Sequence, residues 1–344
     1  MTISIDAAAS TISIVQPQAT SGSKRLEWLD AARGIGIILV VAGHVERGLA
    51  AAGIGDRWAW FDFVIYSFHM PLFIFLAGVN AVIPLARGRR SFLRGRVEGV
   101  AYPYLLWATV TYCIWHLVNG AGEPFGVADI SRHLALSPPS PFWFLYALFV
   151  FSCCYAIVGN SRAIFIPVVA MFALGELYRN DTILHQLLHF PLYFFAGVHL
   201  SGWVKAWPGQ SRIAWSGAAI CLLAVTDAIV GPLTGMNFNS VFLLPAAMAG
   251  IAAILLISMS LRGATLTWMA RLGAASMAIY VTHLFFTAAT RLLMVKLHVP
   301  QLIVLYAPAG VIAGVAGPYL FYVVAARAGA LPWLGLGKVR RHPA

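Results

Sequence analysis

Long apolar runs separated by short polar or basic segments recur along the whole 344-residue chain. Ten can be counted, near residues 30–50, 62–85, 100–119, 141–159, 163–178, 187–204, 213–231, 240–261, 273–294 and 301–326. A helix needs about 20 such residues to cross hydrocarbon roughly 30 Å thick. The expected fold is therefore all-α, a polytopic transmembrane bundle of about ten spans. The runs at 163–178 and 187–204 are the weakest of the ten, being short and proline-bearing.

Composition closes off the soluble alternatives. Sixty per cent of residues are hydrophobic, only 10% are charged, and the mean hydropathy is +0.81, which excludes an ordinary soluble domain. The net charge of +11 is explained by topology and requires no nucleic-acid partner. With the N-terminus inside, 16 of the 23 Lys and Arg residues fall on the cytoplasmic side and 6 outside, leaving Arg33 within the membrane. The positive-inside rule then puts both termini in the cytoplasm, as expected for a multi-pass protein of the cytoplasmic (inner) membrane. Residues 1–23 lack a basic start and a compact apolar core, so they read as a disordered tail rather than a signal peptide. Residues 24–330 form one membrane domain on this reading, and 331–344 a basic tail. Cys113, Cys153, Cys154 and Cys221 lie in apolar runs without metal-ligand spacing and are expected to be small buried hydrophobes.

Against this background, ionisable side chains inside the spans carry the chemical signal. A charge at mid-membrane costs roughly 2.5–3.5 kcal/mol, so it usually faces a polar cavity and has a role. Arg33 and His44 lie eleven residues apart in the first run. At about 100° per residue that is roughly three turns, which places both on one face about 16 Å apart along the axis. Asp30 is three residues before Arg33 and can pair with it. In the second run Asp62, Tyr66, His69 and Phe73 form one stripe, and antiparallel packing brings His69 to the depth of His44. A polar stripe recurs in the ninth run at Ser276, Tyr280, His283 and Thr287. Trp143 and Tyr146 read as an interfacial aromatic belt. The basic loop from Ala86 to Gly99 both fixes topology and offers an anion site; Arg94 and Arg96, nearest the membrane, are its candidates.

These segments together resemble the acyltransferase 3 family of integral membrane acyltransferases, in particular its fucose O-acetylase-like and other glycan O-acetyltransferase branches. The resemblance rests on Leu29-Asp30, Arg33-Gly34 and His44, and on Ser67-Phe68-His69-Met70-Pro71-Leu72 continuing to Ala77-Gly78. The Arg-rich turn into Tyr102-Pro103-Tyr104, the segment Phe142-Trp143-Phe144-Leu145 and the stretch Ser276 to His283 extend it over most of the chain. Ala77-Gly78 stands where relatives often have Ser-Gly, and Val281 where they often have Leu.

The resemblance implies transfer of an acyl group, by default acetyl, from cytosolic acyl-CoA to a hydroxyl of an extracytoplasmic or lipid-linked sugar. Arg94 and Arg96 would hold the donor phosphates, with Arg33 further along its route. His44 would serve as general base or as covalent acyl carrier. His69 or His283 would orient it, relay its proton or stabilise the oxyanion, with Asp30, Tyr66, Ser276 and Tyr280 in support. No metal and no permanently bound cofactor is expected; acyl-CoA is a co-substrate. The competing reading is a transporter or flippase of an envelope precursor, since intramembrane His and Arg also mark substrate paths. The acceptor sugar, hydroxyl position, acyl length and oligomeric state are not encoded legibly in these residues.

Overall fold

The computed structural model describes residues 26–54, 58–119, 126–179, 183–207 and 212–337. The expected tail over 1–23 and the end of the basic tail, 338–344, lie outside them. The described chain forms fifteen α-helices: α1 Glu27–Ala51, α2 Ala59–Val79, α3 Val82–Ala86, α4 Arg89–Arg96, α5 Tyr102–Asn119, α6 Val127–Leu136, α7 Trp143–Val158, α8 Phe165–Gly175, α9 Ile183–His189, α10 Pro191–Ala206, α11 Arg212–Leu233, α12 Leu244–Ser260, α13 Gly263–Ala274, α14 Ser276–Lys296 and α15 Ile303–Arg327. No strand occurs among the described residues.

Every one of the ten apolar runs is helical. Seven segments among the described residues are long and apolar enough to cross a membrane: α1, α2 with α3, α9 with α10, α11, the segment Val241–Ser260, α14 and α15. The chain is a multi-pass helical membrane protein. Its outer surface is apolar where lipid is the solvent, and this overturns the expectation for the cysteines. Cys154 and Cys221 are exposed on that surface, and Cys113 and Cys153 are half-buried.

Helix α1 is the hub, packing against α2, α12, α13, α14 and α15. Its central place is why Arg33 and His44 end up inside the protein rather than against lipid. Two reciprocal glycine crossings set the closest approaches. A Cβ on Gly34 would lie 2.0 Å from the Met269 carbonyl oxygen, and one on Gly273 would lie 1.8 Å from that of Asp30. Likewise a Cβ on Gly78 would meet Phe194 O at 2.0 Å, and one on Gly197 would meet Phe75 O at 2.1 Å. Only glycine lets backbones touch in this way, and lipid-embedded helices use such contacts in place of a hydrophobic driving force. Gly78 thus has a steric role that is untouched by the change from Ser to Ala beside it.

Two elements differ from the sequence expectation. The basic stretch before Gly99 is not a loop: α4 continues through a π-helical turn, Val97–Ala101, into α5. The ninth run is preceded by α13, which the sequence pattern does not announce because it is short and carries Arg271 near its end. The Gly34–Gly273 crossing holds α13 against α1.

Candidate active site

At the end of the bundle where α1 begins, a cavity of about 200 Å³ is lined by Arg33, Asn80, Arg96 and Ser276 among apolar neighbours. Asp30 is buried and accepts a 2.7 Å hydrogen bond from Arg33 Nη1. Arg96 rests on Phe92, its guanidinium carbon 4.8 Å from the ring centre. Burial, and then the nearby Arg33 guanidinium, hold its pKa below the ordinary arginine value. The π-turn follows Arg96 directly, and its Gly99 and Val100 line the same cavity; such turns are frequent at functional sites. Arg94 is turned away. It is exposed, pairs with Glu98 at 2.8 Å, and is absent from the lining. Residues two apart on a helix point about 200° apart, so Arg94 and Arg96 cannot both face one cavity.

A second cavity, about 380 Å³, lies toward the end of α1 and is lined there by His44 and Arg47, with Tyr66, Ser67 and His69 from α2. The His44 and His283 ring centroids are 5.1 Å apart, and Tyr66 stands edge-on to both His44 (6.3 Å) and His69 (4.5 Å). His69 Nδ1 donates to the Ile65 carbonyl at 2.7 Å, and His283 Nδ1 donates to those of Tyr280 and Ile279 at 2.8 and 3.1 Å. A carbonyl can only accept, so Nδ1 carries the proton in both rings. In the neutral rings Nε2 is therefore the lone-pair nitrogen, and that of His283 is buried without a hydrogen-bond partner among the described residues.

The two cavities adjoin. Val40, Met70 and Tyr280 line both, and the Tyr280 hydroxyl donates to the Pro141 carbonyl, tying α14 to the turn before α7. Arg33 and His44 thus line different chambers that share these three residues as a common wall. Among the described residues, no group of three or more His, Cys, Asp or Glu side chains is placed to hold a metal ion.

The family model for the Acyltransferase domain matches residues 26–323, which include both chambers. The chain belongs to the acyltransferase 3 family. It is similar to Nodulation protein NolL of Mesorhizobium japonicum, 27% identical over 192 residues, covering 54% of this chain and 50% of that protein. It is also similar to Nodulation protein NolL of Sinorhizobium fredii, 34% identical over 125 residues, covering 35% of this chain and 32% of that protein. The chain spans half or less of the length of these relatives. No solved structure matches it.

Within this acyltransferase 3 family member, three features of the site escaped the sequence. Arg47 reads from the sequence only as one of the cations on the outer side, yet its guanidinium makes paired hydrogen bonds to Asp62 (2.6 and 3.0 Å) and lies 3.4 Å over the Tyr66 ring. Its position three residues after His44 was the available signal. Trp143 lines the larger cavity and packs on Phe190 at 5.1 Å, rather than serving only as an interfacial belt. His189 had no distinguishing neighbours in sequence, because Phe172, which packs on it at 4.5 Å, comes from another helix.

Proposed function

We propose that the protein is an inner-membrane O-acyltransferase that carries an acyl group, by default acetyl, from cytosolic acyl-CoA to a sugar hydroxyl at the extracytoplasmic end of the bundle. The observation that supports this most is the pair of chambers sharing Val40, Met70 and Tyr280, one basic and one rich in imidazole. Arg33 and Arg96 suit phosphate oxygens of the donor. Arg94, paired with Glu98 at the surface, is left with at most a role in first contact. The thioester arm reaches past the shared residues Val40, Met70 and Tyr280, and its carbonyl carbon arrives at His44.

Because donor and acceptor occupy different chambers, direct transfer is the simpler chemistry. His44 takes the proton of the acceptor hydroxyl as the oxygen attacks the thioester carbonyl carbon. The C–S bond then breaks, and the departing thiolate takes the proton from the His44 imidazolium. His283 flanks His44, ring centroids 5.1 Å apart, and its unused Nε2 lone pair is available to accept from the other His44 ring nitrogen in the reacting complex. Arg47, held by Asp62 and Tyr66, supplies positive charge near the oxyanion. His69, fixed through Ile65, completes the polar wall. Asp30 holds Arg33 in place, while Ser276 and Tyr280 shape the donor route.

Full-length protein in nanodiscs, supplied with radiolabelled acetyl-CoA and glycan from a host lacking O-acetylation, is expected to acetylate that glycan. Arg96→Ala should raise the KM for acetyl-CoA about tenfold, the loss of one charge-assisted contact, and leave the acceptor KM in place. Uptake or flipping of glycan by the same protein in sealed proteoliposomes, without any acetyl transfer, would favour the transporter instead.

A further inference from the structure

The larger cavity has a second polar wall that the proposed acyl-transfer step does not use. It is built from the segment between α6 and α7, from α9, and from the loop before α12: Ser137, Ser140, Gln186, His189 and Asn239, with Trp143 beside them. His189 is 4% exposed and its Nδ1 has no hydrogen-bond partner among the described residues. The ring is wedged between Phe172 at 4.5 Å and His185 at 5.0 Å, and His185 is itself anchored through Nδ1 to the Gly175 carbonyl. A buried polar atom left unpaired is destabilising, so a preformed wall containing one is suited to a ligand that pairs with it. Among the described residues the wall carries no carboxylate and no lysine. Hydroxyls, amides and an imidazole donate and accept in both directions, and Trp143 offers an apolar face.

We infer that this wall is the acceptor subsite, in which Gln186, His189 and Asn239 hydrogen-bond the hydroxyls of an uncharged sugar ring packed against Trp143. The inference rests on the acyltransferase reading above and names what that reading leaves open, the place and chemistry of the acceptor. A cavity of about 380 Å³ is at the small end of ligand pockets, roughly 300–1,000 Å³. It takes the ring being modified rather than a length of polymer. His189 is then a positioning residue: it aims the hydroxyl at His44 without touching the reacting atoms.

The test uses full-length protein in nanodiscs, radiolabelled acetyl-CoA, and a panel of methyl glycosides of neutral hexoses and 6-deoxyhexoses. Gln186→Leu, His189→Leu and Asn239→Leu should each raise the glycoside KM about tenfold relative to the acetyl-CoA KM, and His189→Asn should recover part of the loss. Three variants on two segments, α9 and the loop before α12, guard against one that fails to fold, with thermal unfolding as the check. Glycoside and acetyl-CoA KM values moving together, or kcat alone falling, would overturn the assignment. Wild-type protein that consumes acetyl-CoA but acetylates no glycoside would overturn the neutral-sugar subsite and leave acyl transfer standing. Wild-type protein that does not consume acetyl-CoA would remove the acyltransferase reading and this subsite with it.

Discussion

His44→Ala is expected to lower kcat for acetyl transfer by about 10²- to 10⁴-fold, the range supplied by a positioned general base, while the protein remains folded. His44 is half-buried and faces the larger cavity, so its removal leaves room that water can fill. The neighbouring positions are grips on other elements: Arg47 on Asp62, and Arg291 on the Gly48 carbonyl. Steady-state kinetics on the purified variant, alongside its unfolding temperature, checks the expectation. Direct transfer also predicts that donor alone leaves no label on the wild-type protein. Label retained on His44 would assign it the covalent carrier role instead. A variant within threefold of wild type would remove His44 from the chemistry altogether.

The second large effect is on assembly. Gly273→Val would place a branched side chain where even a Cβ lies 1.8 Å from the Asp30 carbonyl oxygen. Real Cβ contacts are essentially never under 3.0 Å, so α13 must move off α1 by more than about 1 Å. Overpacking of this kind costs on the order of 1–3 kcal/mol, occasionally more. Because the clash falls on Asp30, the partner of Arg33, the donor chamber should loosen with it. Reduced thermal stability together with a raised KM for acetyl-CoA is the expected signature. Gly217→Ala is the matched control on α11: its Cβ would meet nothing within 4 Å, and stability should hold or rise slightly.

The sequence was most legible where one segment carries its own meaning. Apolar length alone marked ten helical runs, and helical spacing related Tyr66 to His69 and Arg33 to Asp30. Those pairings are local, so the 3.6-residue period suffices. It was least legible where a site is made by elements far apart in the chain. Arg47 gains its meaning from Asp62 across a turn, and Trp143 from Phe190. His189 lines the cavity because α9 packs against α7, near the turn that supplies Ser137 and Ser140 to the same lining. The spacing of Arg33 and His44 put them on one face, but it could not show that Val40, Met70 and Tyr280 stand between two chambers. Arg94 and Arg96 looked equivalent while their segment read as a loop; once it is a helix, only one of them can face inward.

On the proposed reading the acyl group crosses the bilayer within the protein, entering on the Arg33 side and leaving on the His44 side. Proteoliposomes decide this, with labelled acetyl-CoA supplied only outside and a glycan acceptor sealed within. Labelled acceptor inside the vesicles is expected, from the fraction of molecules whose basic chamber faces outward. Label appearing only when donor and acceptor share a compartment would rule out transfer across the bilayer.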